Sequence, residues 1–161
     1  MSGKLRCSVP SRARQVAGFT LLEIIVAVTV IGFLAAMAIP AFRVMREKSQ
    51  AARIAGDLRA FRTAFTTYSL ENAGWPPSGG AGEVPEGMHT ALPANWGEES
   101  PIGGYWQWES DSDAGTATIP LSGGLMTRSV YVKVDEMIDD GDISAGSLTF
   151  DGSSLRLALD L

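Results

Sequence analysis

Residues 19–42 read FTLLEIIVAVTVIGFLAAMAIPAF, an apolar run with one ionisable residue, Glu23. Wound as a helix it is about 36 Å long, enough to cross the hydrocarbon core of a bilayer. At 161 residues the chain has room for one modest domain, and its overall hydrophobic fraction of 45% is ordinary. Charge is not evenly spread. Before Phe19 stand Lys4, Arg6, Arg12 and Arg14 with no acids, and residues 43–73 are also basic, with Arg43, Arg46, Lys48, Arg53, Arg59 and Arg62 against Glu47, Asp57 and Glu71. Lys and Arg therefore flank the apolar run on both sides, and charge alone does not orient it. From Gly74 onward Arg128, Lys133 and Arg156 face fourteen acids, a balance of minus 11 that argues against phosphate neutralisation by this part. No nucleic-acid partner is expected.

An ordinary secretory signal has its small-residue cleavage site after the apolar stretch. Here the small residue, Gly18, precedes it, so cutting at Gly18 leaves the apolar helix on the product. The run Gly18-Phe19-Thr20-Leu21-Leu22-Glu23 resembles the processing site of type IV prepilins and type II secretion pseudopilins. The resemblance implies that a prepilin peptidase cleaves between Gly18 and Phe19 and methylates the amine of Phe19. It implies that Glu23 serves assembly, meeting the N-terminal ammonium of a neighbouring subunit. A carboxylate in lipid or in a filament core is costly unless a cation meets it, and an intramembrane ionisable residue is a functional candidate by default. The plainer reading makes Glu23 an incidental charge near the membrane interface. Gly32 and Pro40 also fit the family, in whose filaments the helix is partly melted nearby, although transmembrane helices tolerate both residue types.

Beyond Pro40 the pattern turns amphipathic. Ile54, Leu58, Phe61, Phe65 and Tyr68 form one helical stripe, and Gly74 with Pro76-Pro77 supplies stop signals. One nearly continuous helix from Phe19 to about Asn72 follows, with the Tyr68 to Trp75-Pro76 segment similar to the helix end of pseudopilins. Residues 74–101, rich in Gly and Pro, predict a long surface loop. Runs at Tyr105 to Glu109, Ala117 to Leu121, Ser129 to Val134, Ser147 to Phe150 and Leu155 to Leu159 predict short strands of an antiparallel sheet. The expected fold class is α+β and pilin-like: leader 1–18, membrane and filament-core helix 19–42, amphipathic helix 43–73, and a globular head 74–161 whose sheet covers the stripe.

Candidate chemistry in the head is sparse. Trp106 and Trp108 point the same way from a strand, as in a sugar-stacking platform, but core packing is the expected role. Asp135-Glu136 and then Asp139, Asp140 and Asp142 form an oxygen-rich, turn-forming stretch in which the three aspartates could hold a calcium ion, as some pseudopilin heads do, though it lacks the spacing of an EF-hand loop and also reads as a solvated turn. No other cofactor is expected. His89 stands alone, Gly79, Gly80 and Gly82 do not make a phosphate loop, and the single Cys7 falls in the leader, so no intramolecular disulfide and no nucleophilic site are expected. The chain reads as a substrate of processing enzymes rather than an enzyme. Expected partners are copies of itself, other pseudopilins, the prepilin peptidase and methyltransferase, and an inner-membrane assembly platform. The expected location is the bacterial inner membrane, with the leader cytoplasmic and the head periplasmic, then a filament. Two alternatives stay open: a surface pilin used for adhesion or DNA uptake, and a monomeric single-pass protein with a sensor head.

Overall fold

The computed structural model describes residues 18–111, 114–124, 127–142, 145–152 and 154–160. Residues 1–17, which hold the leader's basic residues and Cys7, lie outside the described residues. Two compact units, Met1–Pro40 and Ala41–Leu161, divide the chain. Helix α1, Leu21–Asn72, runs through the boundary and remains helical at Gly32 and Pro40. Proline has no N–H to donate, so the Ala36 carbonyl loses its partner within the helix. From Gly18 to Phe42 every residue is exposed. This part of the helix is long and apolar enough to cross a membrane.

In the second unit α1 becomes one-sided, as its stripe requires. Ala51, Ile54, Ala55, Leu58, Phe61 and Phe65 are buried, with Tyr68 half-buried beside them. The helix ends at the expected place by a backbone device. Ala73 adopts φ 55° and the Gly74 N–H donates to the Ser69 carbonyl at 3.2 Å, the Schellman closure.

The sheet is antiparallel throughout and built on β3, Thr116–Ser122. β5, Leu155–Asp160, pairs with it from Thr116↔Asp160 to Leu121↔Leu155, and β4, Leu148–Phe150, lies beyond β5. On the other side of β3 lie β1, Tyr105–Trp106, and β2, Glu109–Asp111. Side chains alternate as a half-buried sheet demands: Ala117, Ile119 and Leu121 point inward with Leu155, Leu157 and Leu159.

Three expectations need correction. Ser129 to Val134 is no strand; it lies in helix α2, Arg128–Ile138. Its β-branched residues favour a strand, but Val130, Tyr131 and Val134 recur at helical spacing and all three are buried, so packing on one face overrides local propensity. Tyr105 to Glu109 is broken into β1 and β2, with Trp108 between them bridging Gly79. The long loop is not confined to the surface. Met88 and Trp96 from it are fully buried, Trp96 riding on a 3₁₀ turn at Ala94–Gly97 with its indole N–H donating to the Glu83 carbonyl at 2.7 Å. A loop carrying two large apolar side chains is anchored by them, whatever its glycine content.

The core is aromatic. Trp96 and Trp106 meet Phe61 edge-on at centroid distances of 4.9 and 5.4 Å, and Trp108 stacks on Phe65. Trp106 and Trp108 are thus core residues, as their types favoured, and the sugar-platform reading loses its surface.

Candidate processing and assembly site

The apolar segment begins with a capped helix. Gly18, Phe19 and Thr20 are exposed and not helical. The Glu23 N–H donates to the Thr20 hydroxyl at 3.2 Å, and the Ile24 N–H to the Thr20 carbonyl at 3.3 Å. Thr20 is therefore the N-cap, and Glu23 occupies the third helical position, the threonine and glutamate spacing of a capping box. A carboxylate there also faces the positive end of the helix dipole. The cap is a role for Thr20 beyond those expected above, and its signal is the contiguous Thr20-Leu21-Leu22-Glu23.

This local structure decides what the site can do. The Gly18–Phe19 bond sits outside the helical hydrogen-bond ladder, in backbone a peptidase can engage without unwinding the helix. Phe19 itself is 79% exposed. Cutting that bond would create an ammonium at the positive end of the helix, an unfavourable place for a cation. A carboxylate from another chain, or Glu23 of the same one, offsets that cost.

Residues 13–39 match the family model of the prokaryotic N-terminal methylation motif, a span that holds Gly18, Phe19 and Glu23. Prepilins and pseudopilins are the proteins this chain is similar to. Over 88 residues it is 32% identical to the type II secretion system core protein G of Pseudomonas aeruginosa, covering 53% of this chain and 62% of that one. The corresponding protein of Vibrio cholerae is 29% identical over 117 residues, 67% of this chain and 80% of the relative. The type IV major alpha-pilin of Moraxella bovis is 47% identical over 54 residues, 34% of each chain. The chain thus spans less than two thirds of the Pseudomonas and Moraxella relatives. In fold it is similar to the major type IV pilin PilA1 from Clostridium difficile, with a TM-score of 0.51 at 18% identity over 71% of this chain and 97% of that one. The α+β architecture of a long apolar helix and a small antiparallel sheet is the pilin fold.

The acidic turn after α2 has a structural task. The Asp139 carboxylate accepts the N–H groups of Ser147 and Leu148 and the Ser147 hydroxyl, tying the end of α2 to the start of β4. These donors, the Ser147 N–H first, hold its pKa below the usual carboxylate range. Gly146, at φ 92°, adopts a backbone conformation that favours glycine, and a Cβ there would push the Asp139 carboxylate out of place. Asp140 accepts the Asp142 N–H at 2.8 Å, an Asx turn. Among the described residues no three His, Cys, Asp or Glu side chains come together to hold a metal ion. One turn earlier on α2, Asp135 is fully buried, and the Gly141 N–H is a donor close enough to offset only part of the cost of burying its charge. Burial first, then the charges of Asp139 and Asp140, push its pKa up. His89 is exposed on the loop, away from any such set.

Proposed function

We propose that the chain is a structural subunit of a type II secretion or type IV pilus-like filament, assembled after cleavage between Gly18 and Phe19. The observation that carries this reading is the helix from Leu21 to Phe42, exposed along its whole length directly behind a processing motif. Apolar surface of that extent is unfavourable in water by about 25 cal/mol per Å² and needs lipid or other helices around it. In the bilayer, lipid covers it; in a filament, copies of the same helix do. Contacts repeated head to tail between copies generate an open helical filament rather than a closed ring.

In this reading the prepilin peptidase acts on the Gly18–Phe19 bond and methylates Phe19, and Glu23 meets the Phe19 ammonium of the next subunit. The head stands on the side of the membrane away from the basic leader. The role is structural and non-catalytic, with partners of the same family and an inner-membrane assembly platform. A head-centred adhesive role through the tryptophan pair has no support, since both indoles are buried.

The test is the mass and N-terminal sequence of the membrane-extracted protein, with and without a co-expressed prepilin peptidase. A chain beginning at N-methylated Phe19 is expected. An intact N-terminus in the presence of the peptidase, or cleavage beyond Phe42, would overturn the proposal.

A further inference from the structure

A cleft of about 410 Å³ opens in the second unit between α1 and the start of α2, lined by Arg43, Arg46, Glu47, Gln50, Ile102 and Thr127 among others. Its charges are unbalanced. Glu47, the one acid on the lining, is held by Lys133 at 2.6 Å, and this bond to Lys133 is the main reason its pKa is lowered. Gln50 is likewise engaged, donating to the Pro101 carbonyl at 3.0 Å. Among the described residues, neither Arg43 nor Arg46 has a carboxylate partner. The two guanidiniums, three residues apart and so on one helix face, are the uncommitted donors of the cleft.

Their place in the chain says what they meet. Arg43 and Arg46 follow Phe42 by one and four residues on the same helix, so when the segment before them lies in lipid they stand at headgroup depth. Guanidinium groups bind phosphate through paired N–H donors. We propose that this cleft binds the phosphodiester of an anionic phospholipid, holding the subunit at the membrane surface until it is drawn into a filament. The proposal rests on the membrane-inserted state of the proposed function. The acidic head makes such a site useful: with fourteen acids beyond Gly74, the head is otherwise repelled by an anionic membrane surface.

The experiment is native mass spectrometry of the full chain extracted in mild detergent, titrated with phosphatidylglycerol, phosphatidylcholine or inorganic phosphate. The wild-type chain is expected to retain phosphatidylglycerol in preference to phosphatidylcholine. Arg43→Gln with Arg46→Gln should weaken retention about fivefold per arginine and roughly thirtyfold together. Lys48→Gln with Arg53→Gln removes the same charge from the same helix outside the cleft lining and should leave retention nearly unchanged. Equal losses in the two double variants would reduce the effect to general charge and overturn the cleft. Displacement of the lipid by inorganic phosphate at matching concentration would make it a free-anion site and overturn the lipid assignment. Undiminished lipid retention in the Arg43 and Arg46 variant with loss of self-association would make the surface an interface between copies, which also overturns it. The mass of the same preparation reports cleavage at Phe19, so failure of the lipid site and failure of the prepilin reading are told apart.

Discussion

Glu23→Gln separates two roles that coincide in one side chain. Glutamine serves the third position of a capping box as well as glutamate does, so the helix start should survive. The charge does not survive, and with it goes any pairing to the Phe19 ammonium. We expect the variant to be cleaved and methylated normally but to form few or no filaments, scored by electron microscopy and by mass; wild-type filament yield would reduce Glu23 to a cap. Asp135 poses the opposite case, a charge the fold would rather lose. Its pKa is raised in the folded protein, so the folded state holds the proton better than the unfolded chain. Its contribution is most favourable below the unfolded value and declines as pH rises through the folded one. Asp139, with its pKa lowered, runs the other way: its stabilisation is present above the ordinary carboxylate range and is lost as pH falls through its folded value. Asp135→Asn should therefore raise the melting temperature at pH 7 by several degrees and change it little near pH 3. An equal gain at both pH values would show that ionisation of Asp135 is not the cause.

Among the elements, α1 is closed by a residue that does not suit its position. Ala73 sits in the left-handed region, where a Cβ costs about 1 kcal/mol and glycine is at ease. Ala73→Gly should stabilise the protein by about that amount in denaturant titration; a loss would mean that the Ala73 methyl makes contacts worth more than the strain. This helix was legible because its signals agree: an unbroken apolar run, then a stripe at spacings of three and four, then Gly and Pro. The Gly18 to Glu23 motif was equally plain, because its residues are contiguous. The head was less so. Val130, Tyr131 and Val134 carry strand propensity and helix spacing at once, and only the burial of all three on one face of α2 decides between them. Met88 and Trp96 were hidden for another reason. Isolated apolar residues in a stretch rich in Gly and Pro have no period, and their burial depends on partners far along the chain, with Phe61 and Phe65 flanking Trp96. The burial of Asp135 left no sequence signal either, since in an acidic stretch a carboxylate is ordinarily solvated.

For the whole molecule, the division near Pro40 predicts separable behaviour. All of the buried core lies between Ala51 and Leu159, within the second unit. A fragment starting at Arg43 should therefore be soluble and monomeric and melt within a few degrees of the full chain. Aggregation or loss of cooperative melting would show that the apolar segment supports the head. The sheet offers little to encourage side-by-side association: β4 and β2 have three residues each and β1 two, and short edges are poor templates for further strands. One feature of the core bears on how this molecule can be watched rather than on how it holds together. The rings of Phe65 and Trp108 lie parallel with centroids 3.7 Å apart, and Trp75, Trp96 and Trp106 crowd the same two helical phenylalanines or Trp108 itself. All four indoles are thus fixed in one asymmetric cluster, the condition for a near-ultraviolet dichroic signal that disappears when packing loosens even while helix persists. The protein carries its own optical gauge of whether the head is closed on its helix, readable without a label in detergent, in lipid or in an assembled fibre.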